Sequence, residues 1–138
     1  MPIEPSVVEG ALQIVKHCLG LAPNQQLVIL ADESTIEPSV ALAVAAVALG
    51  VGQSVFVVPF SVQRRIPAEV VLSWLIQKAA REARAILTCV NARPSCLPFR
   101  QRILETHWTA HTRIGHMPGV TCEILKLANV DFGQLVRN

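Results

Sequence analysis

Hydrophobic positions along the chain fall into short blocks, and their spacing changes from block to block. From Ser6 to Leu19, apolar residues recur at Val7, Val8, Ala11, Leu12, Ile14, Val15, Cys18 and Leu19. That is the i, i+3, i+4, i+7 spacing of an amphipathic helix, and Gly20 follows as a stop. Leu27-Val28-Ile29-Leu30 is a short run without polar interruption, so a strand is expected from Gln26 to Ala31. Polar Asp32-Glu33-Ser34-Thr35 separates it from Val40 to Leu49, apolar at every position, which Gly50 and Gly52 end. After Ser54 the chain is apolar again to Phe60, and a second strand is expected from Ser54 to Val58. The unit reads strand, helix, strand, with Thr35 as the helix N-cap and Pro38 in the first turn, where its missing N–H costs nothing. Strands apolar throughout suit parallel pairing with both faces covered.

The remainder continues the alternation. Ser61 to Ile66 is expected to be a polar loop, Pro67 opens a helix reaching about Ala83, and Ala85 to Val90 is a third strand. Asn91 to Pro98 reads as a loop, Phe99 to Thr106 as a short helix, and Thr112 to His116 as a fourth strand. Pro118-Gly119 breaks the chain before a helix from Val120 to Ala128. A last turn begins at Asp131 and stops at Asn138, as though truncated or completed by another chain.

Four strands separated by helices predict one α/β domain over residues 1–138. We expect a three-layer sandwich: a four-stranded parallel sheet in order 2-1-3-4 with helices on both faces, joined by right-handed crossovers. In such sheets ligands sit beyond the carboxyl ends of the strands, where the order reverses between the first and third. Topology therefore brings together Asp32, Glu33, Ser34 and Thr35 after the first strand and Ser61 with Arg64 after the second. Cys89 and Asn91 join them from the third strand, and His116 from the fourth.

Charge and composition narrow the functions open to this fold. The 138 residues are 51% hydrophobic, only 16% charged, and carry a net charge of +2. The basic residues form no run, so nucleic acid is not implied. No charged residue occurs between Glu37 and Arg64, which raises the question of a membrane span. Pro38, Gly50, Gly52, Gln53, Ser54 and Pro59 divide the stretch into elements too short to span, and no membrane association is expected. The four scattered cysteines contain no CxxC pair and no signal peptide precedes them, which favours a reduced, cytoplasmic protein. A helix without a polar face needs a cover. We expect a homo-oligomer or a partner domain docked on the Val40 to Leu49 helix.

Candidate chemistry is sparse. Asp32 and Glu33 would serve as a general acid and base at the sheet mouth, or else satisfy the free N–H groups of the following helix. Cys89 would be a nucleophile if His116 or Arg93 activated it; a strand cysteine is otherwise inert packing. Ser34, Thr35, Arg64, Asn91 and Arg93 are candidate ligand-binding residues, the arginines suited to a carboxylate or phosphate. His107 and His111 have HxxxH spacing, but Trp108 stands where a zinc protease needs Glu, so no metal site is assigned. Neither GxGxxG nor a P-loop follows the first strand, and no cofactor is expected.

Several stretches together resemble a known family. These are Leu27-Val28-Ile29-Leu30-Ala31-Asp32, the alanine-rich helix ending Ala48-Leu49-Gly50, and Val55-Phe56-Val57-Val58-Pro59. The segment from Arg113-Ile114-Gly115-His116-Met117-Pro118-Gly119 through Val120-Thr121-Cys122-Glu123-Ile124-Leu125 joins them, with Val130-Asp131-Phe132 beyond. They resemble the N-terminal domain of M29-type metallo-aminopeptidases (the leucyl aminopeptidase family), a domain shared with the dihydroxypyridine dioxygenases. The resemblance implies an α/β domain forming half of a substrate cleft, with metal ligands on a C-terminal domain that has no counterpart here. Three functions follow as expectations. The first is a stand-alone domain serving binding or assembly without metal chemistry. The second is a small metal-independent cyclase or hydrolase using Asp32, Glu33, Cys89 and His116. The third is a fragment of a larger metallo-aminopeptidase-like enzyme.

Overall fold

The computed structural model describes residues 3–65, 67, 70, 73, 83–91, 97–105 and 112–128. Helix α1 runs from Pro5 to Gln13, with Pro5 in its first turn, and buries Val7, Gly10 and Ala11. It does not continue as one α-helix to Leu19. Ile14–Cys18 widens into a π turn, closed by Leu19 N–H on the Ile14 carbonyl at 2.9 Å, and the added residue leaves Ile14, Val15 and Leu19 all buried. Gly20, at φ 61°, then reverses the chain.

Strand β1 (Gln26–Ala31), helix α2 (Ile36–Ala48) and strand β2 (Gly52–Val57) form the predicted unit. Helix α3 (Phe60–Arg65), strand β3 (Ala85–Thr88), helix α4 (Leu97–Glu105) and strand β4 (Arg113–His116) follow. Residues 122–128 form helix α5. The strands make one sheet, all parallel, in order β2-β1-β3-β4. This is the order the alternation of elements predicts.

Side-chain alternation on the central strands explains the uninterrupted apolar runs. Leu27 and Ile29 of β1 and Ala85 and Leu87 of β3 face a core built with Val7, Ala11 and Val15 from the first helical segment, Leu42, Ala45 and Ala46 from α2, and Leu125 from α5. Val28, Leu30 and Ile86 point the other way, against Val58, Val62 and Phe99. Beyond the exposed Gln26 both faces of β1 are dry, so polar residues have no place from Leu27 to Ala31. Fully burying one such aliphatic side chain contributes about 1.5–3 kcal/mol. The first core also depends on Gly10: a Cβ there would lie 1.6 Å from the Leu125 carbonyl oxygen. Only glycine lets α1 and α5 approach so closely.

Three expectations need correction. Residues 61–65 of the expected loop over 61–66 are not a polar loop, since Phe60–Arg65 is helical. The cap comes from far away in sequence: Phe60 N–H donates to Glu33 Oε1 at 2.6 Å, and Val62 N–H and Gln63 N–H donate to the Pro59 carbonyl. Thr35 does precede α2, yet its hydroxyl makes no cap bond to the helix and turns back to Asp32. Strand β2 begins two residues earlier than expected, at Gly52. The helix expected over residues 67–83 lies largely outside the described residues, as do His107, His111 and the last turn after Asp131.

Candidate functional site

The carboxyl ends of β1 and β3 lie side by side at the point where strand order reverses, and Asp32 occupies it. Its side chain is fully buried. Oδ1 accepts the Ser34 N–H at 2.9 Å and the Ser34 hydroxyl at 2.6 Å, with Thr35 Oγ1 more distant at 3.4 Å. Oδ2 accepts the Asn91 N–H, and Asn91 Nδ2 donates to Ser34 Oγ at 3.0 Å. Asp32, Ser34, Thr35 and Asn91 thus form one network joining the two strand exits. A buried carboxylate needs such a set of donors. The arrangement is a staple: the lone pairs that a general base would use are engaged in holding the β1 exit to the β3 exit.

Glu33 does not pair with Asp32. Its carboxylate caps α3, and it lines a cleft of about 430 Å³ with Ile3, Ser34, Ile36, Glu37 and Val40. The cleft combines two carboxylates with three aliphatic side chains at the start of α2. The roles expected for Asp32 and Glu33 at the start of α2 are therefore replaced by bonds to Asn91 and to Phe60.

Cys89 is fully buried in the core shared with α2. Burial pushes its thiol up to about 12; the Ser39 hydroxyl pulls the other way, and the negative charge of Asp32 adds to the rise. The nucleophilic form is the thiolate, which these surroundings disfavour. His116 cannot be its base, because it stands on the other side of the sheet. His116 Nδ1 lies 2.6 Å from the hydroxyl of Thr88, its partner in the β3–β4 register. Thr88 alternates with Cys89 and shares the face of Ile86. Partial burial lowers the His116 pKa, and the positive charge of Arg100 lowers it further.

Of the candidate binding residues, Ser34, Thr35 and Asn91 are brought together. Arg64 falls on α3, away from the expected loop, and Arg93 lies outside the described residues. Among the described residues no three His, Cys, Asp or Glu side chains come together to hold a metal ion, and no helix is long and apolar enough to cross a membrane. Sequence reasoning missed Thr88 as the His116 partner and Glu37 as a cleft wall. Strand register, which pairs Thr88 with His116, was the signal for the first.

A second feature is the outer surface of α2. Pro38, Ser39, Ala41, Leu42, Ala45 and Ala46 face inward. Ile36, Val40, Val44 and Val47 are 43%, 40%, 46% and 62% exposed. They follow one another at intervals of four, four and three residues, a continuous apolar stripe along the helix.

No family model and no curated protein matches the chain. Solved structures do. AmpT from Thermus thermophilus superposes with a TM-score of 0.55 at 16% identity, over 91% of this chain and 42% of its own. A fatty acyl CoA synthetase from Mycobacterium tuberculosis gives 0.54 at 13% identity, over 88% of this chain and 21% of its own. A LacI-family transcription regulation repressor from Corynebacterium glutamicum gives 0.53 at 15%, over 96% and 57%. Proteins of such different description share the α/β scaffold, and at these identities the likeness is one of fold alone. The chain spans about two fifths of AmpT and a fifth of the synthetase.

Proposed function

We propose that this chain is a binding or assembly domain, similar to the N-terminal half of M29-type aminopeptidases, that works by docking its α2 face against another protein surface. The observation that carries this reading is the stripe Ile36-Val40-Val44-Val47 on a helix whose opposite side already faces the core. A monomer gains nothing from four aliphatic side chains in water along one line, and such stripes mark interaction surfaces. That the scaffold accounts for 42% or less of AmpT and of the synthetase supports a domain that works beside others. The reading gives the chain no metal chemistry and no cofactor.

A cyclase or hydrolase reading has the cleft beside Glu33 and Glu37 in its favour, as a place for a small-molecule ligand. Among the described residues Asp32 is engaged in the staple, Cys89 is a buried thiol and His116 is on another face, which leaves Glu33 and Glu37 as the groups this reading would use. Sedimentation velocity from about 1 to 100 µM tests the assembly reading. We expect reversible association, and Val44→Lys, a change at an exposed position, should abolish it while the circular dichroism spectrum is retained. A wild-type chain that stays monomeric throughout would refute the reading.

A further inference from the structure

Resting on that reading, we infer that the partner is a second copy of this chain, joined through the outer edge of β2 so that two sheets become one and the two α2 helices pack side by side. The stripe alone is too small. Four partly exposed aliphatic side chains fall well short of the roughly 20–30 residues a side that a stable interface uses. More surface must join it, and α2 lies over both β1 and β2, in contact with each.

The edges of the sheet are not alike. β4 has four residues and carries Arg113 and His116, the short, charged edge that discourages pairing. β2 has six residues, Gly-Gln-Ser-Val-Phe-Val, with no charge, no proline and no bulge, since its register on β1 runs unbroken from Gln26 opposite Gly52 to Ala31 opposite Val57. Among the described residues none of the usual protections is present. Its outward groups follow from the ladder: Gly52 N–H and Val58 N–H donate to the Gln25 and Ala31 carbonyls. Alternation then turns the N–H and C=O groups of Gln53, Val55 and Val57 away from β1.

Those three residues suit self-pairing. A two-fold axis normal to the sheet, midway between the two strands at the level of Val55, sets Val55 opposite its copy and Gln53 opposite Val57 of the second copy. Every outward group then has a partner, about six hydrogen bonds in all. Val57, 46% exposed, is covered in the same step. With strands about 4.8 Å apart and each α2 above the gap between its own β1 and β2, the two helix axes come to lie roughly 10 Å apart. That matches the 8–10 Å at which packed helices stand. The helices run antiparallel, which opposes their dipoles favourably. No charged residue occurs from 38 to 63, so two copies meet without like-charge repulsion.

The test is hydrogen exchange on the full chain, read amide by amide by NMR at about 5 and 200 µM, with sedimentation of two variants. Exchange at Gln53, Val55 and Val57 should slow at least about tenfold at the higher concentration. Gln53→Pro removes one outward N–H per copy and should raise the dissociation constant at least about tenfold, whereas Gln53→Thr, which keeps that N–H, should leave it within about threefold. Association lost in Val44→Lys but equal in the two Gln53 variants, with concentration-independent exchange at the three amides, overturns the strand pairing and leaves the α2 reading standing. A wild-type monomer at every concentration overturns both. The wild-type exchange data decide the matter even if Gln53→Pro fails to fold.

Discussion

Asp32→Asn separates a staple from a catalytic base. The carboxylate is fully buried and receives two backbone N–H groups, from Ser34 and Asn91, on its two oxygens. Asparagine keeps shape and volume but offers one oxygen and one NH₂. Whichever way the amide turns, one backbone N–H faces another donor instead of an acceptor. The Ser34 hydroxyl can rotate to accept, but a peptide N–H cannot. One hydrogen bond to a charged group is lost, worth about 1.5–3 kcal/mol, and one buried donor is left unmet at about 1–3 kcal/mol. The expected loss of roughly 3–5 kcal/mol compares with about 7–20 kcal/mol for a chain of 138 residues. The variant should fold, with Tm lower by about 10 °C or more. Thermal unfolding followed by circular dichroism measures it, and a double-mutant cycle with Ser34→Ala should show coupling of at least about 1 kcal/mol, because both changes act on one network. A Tm within about 1 °C of wild type, or strict additivity with Ser34→Ala, would refute the staple.

Two further outcomes follow from the same geometry. Cys89, fully buried with its thiol pushed up to about 12, should resist iodoacetamide at pH 8 while exposed Cys18 is alkylated; peptide mapping by mass spectrometry that found both labelled at similar rates would contradict the packing role. His116 binds a proton less readily in the folded chain than at its ordinary value of 6.5, because of desolvation and then Arg100. Protons therefore favour the unfolded chain: this contribution is constant above the ordinary value, and stability falls as pH drops below 6.5 until the folded imidazole is also protonated. His116→Gln should flatten that part of the Tm profile between pH 7 and 5, and an unchanged slope would show that the histidine is not its source.

How far the sequence reaches can be judged residue by residue. Local periodicity determined the helices and strands around β1, α2 and β2, because the run Leu27 to Leu30 and the block Val40 to Leu49 differ in period and are punctuated by Asp32 to Thr35 and by Gly50. Alternation of elements determined the parallel sheet and its order, since crossover handedness leaves few topologies. It also placed Asp32, Ser34, Thr35 and Asn91 at one edge. Tertiary structure alone decided what they do there. The α3 cap is supplied by Glu33, 27 residues before Phe60, so no local pattern marked residues 60–65 as helical. The thiol state of Cys89 depends on burial against Ser39 of α2, and the partner of His116 depends on strand register. Hydrophobic spacing is a property of neighbours along the chain and survives without a fold. Hydrogen bonds, desolvation and an open strand edge belong to atoms that only folding brings together or leaves apart.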